Sequence, residues 1–225
     1  MYDKFEGKSR RKMKITKYPQ SAILIENYKN KRILIDPGSY CYNESFKPKS
    51  WGKIDILLFT HIHGDHFMPE VAKVLKEINP NIFIASNSEV KAELDKENIE
   101  CKILQPGEST EIDDIKIEGI KSVHGDLPNG KPKPDVIGFL IDDKFYHPGD
   151  TIYLQEKPYA DIVFVPICGV VVMNVEEAVR FIEEINPKVA IPIHFDNPNY
   201  PVNVDDFASK VPIARVLKNG ESLEL

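Results

Sequence analysis

Cysteine is scarce: Cys41, Cys101 and Cys168 are the only three in 225 residues, too few and too scattered for a disulfide framework or a paired-cysteine metal site. Long apolar runs are missing as well. The uncharged apolar stretch Ile162 to Asn174 is too short to cross a bilayer and contains Pro166 and Gly169, so no membrane span is expected. The first residues, MYDKFEGKSRRKMK, lead into no apolar core of the signal-peptide kind, and the compartment expected on these grounds is a reducing cytoplasm. No stretch rich in Gly, Ser or Pro divides the chain and no short repeat runs through it, so one domain over residues 1–225 is expected.

Excess positive charge is absent too. The net charge is −6, and it is uneven. Residues 1–17 hold seven basic side chains (Lys4, Lys8, Arg10, Arg11, Lys12, Lys14, Lys17) against Asp3 and Glu6, or +5, which leaves −11 on the rest. An acidic body disfavours non-specific nucleic-acid binding along a broad face, and the basic arm reads as a solvated strand edge protected by lysines. With 42% hydrophobic and 28% charged residues the composition is that of an ordinary globular chain. A chain this long hides roughly 70% of its unfolded surface, so a metal would serve chemistry rather than folding.

What is present is a β pattern interrupted by helices. Strands are expected at Met13 to Lys17, Ser21 to Glu26, Lys31 to Asp36 and Asp55 to Thr60, with a turn at Tyr28-Lys29-Asn30-Lys31. Pro69 to Ile78 has a helical apolar face. Ile82 to Ala85 is a short strand, and Ser88 is expected to cap a helix reaching about Glu97. Further strands are expected at Lys102 to Leu104, Glu111 to Ile112, Ile115 to Val123, Val136 to Ile141, Lys144 to Tyr146 and Asp161 to Pro166. Asn174 to Glu177 resembles a capping box that opens a helix through Ile185. Val189 to Ile193 is a strand, Asp205 to Lys210 a helix, and strands near Ala214 to Leu217 and Ser222 to Leu225 close the chain. Two face-to-face sheets with helices outside would bury these strands on both sides, an α+β, four-layer αββα sandwich.

The histidines carry the chemistry. At the end of the apolar run Ile54 to Phe59 stands Thr60-His61-Ile62-His63-Gly64-Asp65-His66. His61 and His63 share one side of an extended backbone, so both imidazoles can reach one ion. Gly64 would permit a tight reversal, and Asp65 and His66 would leave it at the start of the next helix, aimed at a second ion. His124, Asp150 and His194 each follow an expected strand or hairpin, so side chains from distant strand ends converge on one rim.

The HxHxDH run with three distant ligands resembles the metallo-β-lactamase superfamily, an αββα sandwich of binuclear metal hydrolases. The runs LIDPG (Leu34 to Gly38), YHPGDT (Tyr146 to Thr151), VPICGVVVMNVEEAV (Val165 to Val179) and IPIHFD (Ile191 to Asp196) resemble its compact lactonase-like branch, which includes relatives of L-ascorbate-6-phosphate lactonase. The resemblance implies His61, His63 and His124 on a first metal, Asp65, His66 and His194 on a second, and Asp150 bridging. Zinc is the commonest occupant of such a nitrogen and carboxylate shell, and the carboxylates leave Mn2+ or Fe2+ open. Cys168 falls on no ligand position. Where many members of the branch carry a Gly-His-Ala/Ser segment, this chain has Pro19-Gln20-Ser21-Ala22.

Two ions lower the pKa of a shared water toward about 7 and deliver hydroxide to a carbonyl or phosphorus centre. The expected function is therefore a binuclear metal-dependent hydrolase acting on a small ester, lactone or phosphoester. The alternatives are a phosphodiesterase for nucleotide or phospholipid-type diesters, and a non-catalytic regulatory or nucleic-acid-binding module. Two jobs are open to Asp65, ligand and proton acceptor. His147 is the nearest unassigned group that could protonate a leaving group, against the plainer reading of a hydrogen-bonded structural histidine. Asp36 reads as a hydrogen-bond partner of the metal loop, Asp126 and Asp196 as loop acids. The segments Ser39 to Trp51 and Gly125 to Asp135, with Lys47, Lys49, Lys131 and Lys133, are candidates for substrate contact.

Overall fold

The computed structural model describes residues 12–225. Six strands form most of a first sheet: Lys14–Lys17 (β1), Ile23–Tyr28 (β2), Lys31–Ile35 (β3), Ile56–Leu58 (β4), Phe83–Ser86 (β5) and Lys102–Ile103 (β6). Six more form a second: Ser109–Ile112 (β7), Ile115–Lys121 (β8), Ile137–Ile141 (β9), Phe145–His147 (β10), Ile162–Pro166 (β11) and Val189–Ile193 (β12). The chain then returns to the first sheet as Ser222–Glu224 (β13), antiparallel to β1. Spatial order is β13-β1-β2-β3-β4-β5-β6 in one sheet and β12-β11-β10-β9-β8-β7 in the other.

The period of two in the apolar strands builds the layers. Ile33 and Ile35 point into the core between the sheets while Leu34 points outward, and Ile56, Leu58 and Leu57 divide in the same way. In the second sheet Ile162 and Phe164 face inward and Val163 and Val165 outward. The outward sets are covered by helices. Pro69–Ile78 (α1) and Ser88–Lys96 (α2) lay Val71, Leu75, Val90 and Leu94 on the first sheet. Val175–Ile185 (α3) and Val204–Lys210 (α4) lay Phe181, Ile182 and Phe207 on the second. The result is the expected four-layer αββα sandwich, with strands buried on both faces and therefore continuously apolar.

Local signals explain the boundaries. Pro69 opens α1, where a missing N–H costs nothing. Asn174 and Glu177 form a reciprocal capping box at α3. Lys29 and Asn30 both have positive φ, the signature of the tight turn that matches strand twist between β2 and β3.

Three expectations change. Ser88 is the first helical residue of α2, and its cap is Asn87, whose side chain accepts from the Val90 N–H. Ala214 to Leu217 is no strand: a single bridge joins Ala214 to Ala190, after which Leu217 turns into the inter-sheet core. Of the basic arm, Lys4, Lys8, Arg10 and Arg11 lie outside the described residues; Lys12 and Lys14 pair with Glu224 and Glu26 at the surface, but Lys17 is fully buried. Among the described residues no helix is long and apolar enough to cross a membrane.

Candidate metal centre

Ligand-type side chains arrive from the carboxyl ends of strands in both sheets. His61, His63, Asp65 and His66 follow β4, His124 follows β8, Asp150 follows β10 and His194 follows β12. All seven meet at one rim, and Asp150 stands at the middle. Its Oδ1 lies 3.2 Å from His66 Nε2; its Oδ2 lies 3.2 Å from His194 Nε2, 3.7 Å from His124 Nε2 and 4.0 Å from His61 Nε2. Three overlapping sets could each hold an ion: His61, His63 and His124; His61, His66 and Asp150; and Asp65, His66 and His194. His63 and Asp65 are half-buried and the others are closed to solvent.

The imidazoles are pre-oriented by outer partners. Asp36 accepts from the Thr60 N–H at 2.7 Å and the Thr60 hydroxyl at 2.6 Å, and from His66 Nδ1 at 2.8 Å. Because the Thr60 hydroxyl donates to Asp36, its oxygen is left to accept from His61 Nδ1 at 3.0 Å. His124 Nδ1 donates to the Gly125 carbonyl at 2.7 Å. In each ring the Nδ1 proton is held away and Nε2 is turned to the cluster, the tautomer a ligand requires. His194 reaches the cluster from a left-handed backbone, φ 57°, a conformation non-glycine residues adopt only where the surroundings impose it.

Two glycines bring the loops together. Gly149 has φ 66°, and a Cβ there would stand 2.7 Å from Thr60 Cβ, so the turn that carries Asp150 packs directly on the loop that carries His61. At Gly38 a Cβ would lie 2.1 Å from the carbonyl carbon of Asp65, so this backbone touches the Asp65-His66 peptide itself. Gly64 has open space around it and no left-handed backbone. The reversal uses instead a turn closed by His66 N–H to the His63 carbonyl, 2.9 Å, three residues ahead of α1. Gly38→Ala should therefore displace Asp65 and His66 and destabilise the fold by about 1–3 kcal/mol, the usual cost of overpacking. Gly64→Ala should do neither. Thermal unfolding of the two variants side by side checks this.

Charge in the cluster is strongly coupled. Burial disfavours the charged forms throughout, yet His194 and His66 hold the Asp150 carboxyl well below the ordinary range. His66 and His194 likewise hold Asp65 low. Against the same burial cost, Asp150, Asp65 and Asp36 lift His66 to about 10, and Asp150 and Asp65, with Cys168, lift His194. Burial and the neighbouring His66 push His61 down. Three carboxylates thus demand cationic partners at this rim. Five buried atoms here also lack any hydrogen-bond partner: His66 Nε2, His124 Nε2, Asp150 Oδ1, and both ring nitrogens of His194. Each unsatisfied buried atom costs about 1–3 kcal/mol, and divalent ions would satisfy both the orphaned atoms and the charge. The donor set fits a metal.

His147, expected as a candidate proton donor to a leaving group, has no ring nitrogen free for that role. It is fully buried, its Nε2 donates to the Ser21 carbonyl at 2.8 Å, and its Nδ1 accepts from the Gly149 N–H at 3.2 Å. Both nitrogens are committed to backbone, and burial lowers its pKa. Its place is to brace the Gly149-Asp150 turn. Beside His124 a groove of about 410 Å³ runs along the ends of β5 and β6, lined in part by Asn87, Ser88, Gln105, Ser122 and Lys133. Asp126 is a solvent-facing loop acid paired with Lys133 at 3.0 Å.

The family described as β-lactamase superfamily domain matches residues 14–194. A metal-dependent hydrolase of Methanocaldococcus jannaschii is 29% identical over 94% of this chain and all of its own length. One of Nanoarchaeum equitans is 31% identical, covering 82% of this chain and 84% of the relative. In fold, the chain superimposes on a metallo hydrolase of the archaeon Ignicoccus hospitalis with a TM-score of 0.81 at 21% identity, covering 96% of this chain and 99% of that one.

Proposed function

Because the chain belongs to the metallo-β-lactamase superfamily, we propose that it is a metal-dependent hydrolase with a binuclear centre, folded as one catalytic domain over residues 1–225. His61, His63 and His124 would hold the first ion and Asp65, His66 and His194 the second, with Asp150 within reach of both sets. The observation that carries this reading is the position of Asp150, buried and within 4.0 Å of four imidazole nitrogens from both sheets. Zinc suits the nitrogen-rich first set, while the carboxylates of the second also suit Mn2+ or Fe2+.

Two divalent ions supply an acidified water and a polarised substrate oxygen when bound. The chain's own groups do the rest. Asp65 keeps 22% of its side-chain surface exposed and is held ionised by His66 and His194, so it can accept a hydrogen bond from, and orient, a water arriving at the open side of the cluster. Asp36 and Thr60 hold the histidine rings in register. The groove beside His124, lined by Asn87, Ser88, Gln105 and Ser122 and by the oppositely charged Lys133 and Asp135, offers hydrogen bonds to a small ester, lactone or phosphoester with a polar end, the substrate range of a lactonase-like hydrolase.

Dialysis against a strong chelator should abolish hydrolysis across a panel of lactones, phosphodiesters and thioesters, and Zn2+ or Mn2+ should restore it. A chelated protein that keeps its full rate contradicts the reading. A profile confined to phosphodiesters would assign it to the phosphodiesterase class instead.

A further inference from the structure

The only fully buried lysine of the described residues lies one shell behind His194. Lys17, at the end of β1, is 0% exposed. Its ammonium donates to the Asp196 carboxylate at 3.1 Å, to the Asn219 side-chain oxygen at 2.8 Å and to the Tyr18 carbonyl at 3.1 Å. All three of its protons are used, and burial lowers its pKa against the pull of Asp196. A buried, paired charge gives little net stability compared with apolar residues of the same shape, so its cost calls for another reason.

That reason lies in what Asp196 and its neighbours hold. The second carboxylate oxygen of Asp196 accepts from the Gln20 N–H at 3.1 Å. The Gln20 carbonyl in turn accepts from the His194 N–H at 3.0 Å, and its side-chain oxygen from Asn197 at 3.4 Å. Gln20 itself is buried with φ 59°, and His194 has φ 57°. Two left-handed residues therefore meet back to back, tied by one backbone bond and closed by the ion pair. Left-handed backbone at non-glycine residues relaxes unless its surroundings over-determine it. The His194 ring lies 3.2 Å from Asp150 and 3.4 Å from Asp65 on its cluster side and stacks on His66, but neither of its nitrogens has a well-formed hydrogen bond to an outer partner. His61, His66 and His124 are each oriented by an outer hydrogen bond to the ring; His194 has its well-formed outer bond at the backbone N–H instead.

We propose that Lys17 and Asp196, acting through Gln20, form a clamp that positions His194 and so sets the affinity of the ion site made by Asp65, His66 and His194. Lys17 and Asp196 are positioning residues here. The inference rests on the binuclear reading above.

The test is a Zn2+ titration of full-length protein in competition with a chromophoric chelator, resolving the two equivalents, alongside thermal unfolding of the metal-free protein. In Lys17→Met one of the two equivalents should lose affinity by about 10–100-fold, the usual cost of removing an outer partner of a ligand, while the other is unchanged. Asp196→Asn, which keeps an oxygen for Gln20, should show the same loss in smaller measure and serves if Lys17→Met fails to fold. The double variant Lys17→Met/Asp196→Leu removes both charges and should recover melting temperature without recovering the second equivalent. A merely structural pair would give the opposite: wild-type affinity for both ions with only the melting temperature lowered. Equal loss of both equivalents would also overturn the inference. Wild-type protein that takes up no Zn2+ sinks the binuclear reading and this one together; wild type that takes two, with variants that match it, sinks this one alone.

Discussion

Asp150→Ala should release metal and abolish hydrolysis while leaving the fold in place. The carboxylate faces four histidines, and one of its oxygens has no hydrogen-bond partner, so little of the sandwich depends on it. The turn around it is held by backbone instead: the Ile152 N–H donates to the Val123 carbonyl at 2.9 Å and the Met173 N–H to the Thr151 carbonyl at 3.0 Å. Removing the side chain takes away the group common to both proposed ion sites. The rate should therefore fall by more than the roughly 10–100-fold that follows loss of a mere outer partner. Metal content and kcat measured beside circular dichroism check this. A variant that keeps two ions, or that loses its fold together with its activity, contradicts it.

Asp36→Asn is the second large effect, and it acts without touching a proposed ligand position. Asp36 is fully buried and accepts three hydrogen bonds, two from Thr60 and one from His66. An amide has one oxygen to offer where the carboxylate has two. Its NH2 would face either the Thr60 N–H or, in the other orientation, both the Thr60 hydroxyl and His66 Nδ1, and there the imidazole would move its proton to Nε2 to present a lone pair. His66 would then point a proton, not a lone pair, at the cluster. Metal affinity should drop by about 10–100-fold, with a stability cost of about 1–3 kcal/mol for the donor left unsatisfied. Isothermal titration with Zn2+ and a melting curve on the same preparation separate the two effects. Wild-type affinity in this variant would mean that the Asp36 bond does not set the His66 tautomer.

Much of this was legible in the chain because local spacing and strand parity carry it. The alternation in Ile33-Leu34-Ile35 and Ile56-Leu57-Leu58 gives strands buried on both faces, and HxHxDH at the end of such a strand places four ligand-type groups on one rim. Asn174 and Glu177 announce α3 from three residues' distance. What stayed hidden depends on contacts between segments far apart in sequence. Gly38 is required by the Asp65 backbone lying against it, whereas Gly64, inside the motif, looked necessary and has free space. His147 looked like a spare proton donor, and only its bond to Ser21, 126 residues away, shows its nitrogens to be committed. Lys17 reads as one more lysine on an exposed edge. Its burial follows from the return of the C-terminal segment, where Asn219 and β13 close over it, and no local signal announces that closure. Asp196 reads as a loop acid for the same reason.

Two ions held at the rim where the strand ends meet, with Asp150 common to both, are what this chemistry requires. Metal analysis of wild-type protein, loaded with Zn2+ or Mn2+ and freed of excess, tests this most directly. Close to two ions per chain are expected, falling in Asp150→Ala; a wild-type chain that hydrolyses its substrate while holding none would contradict the binuclear reading.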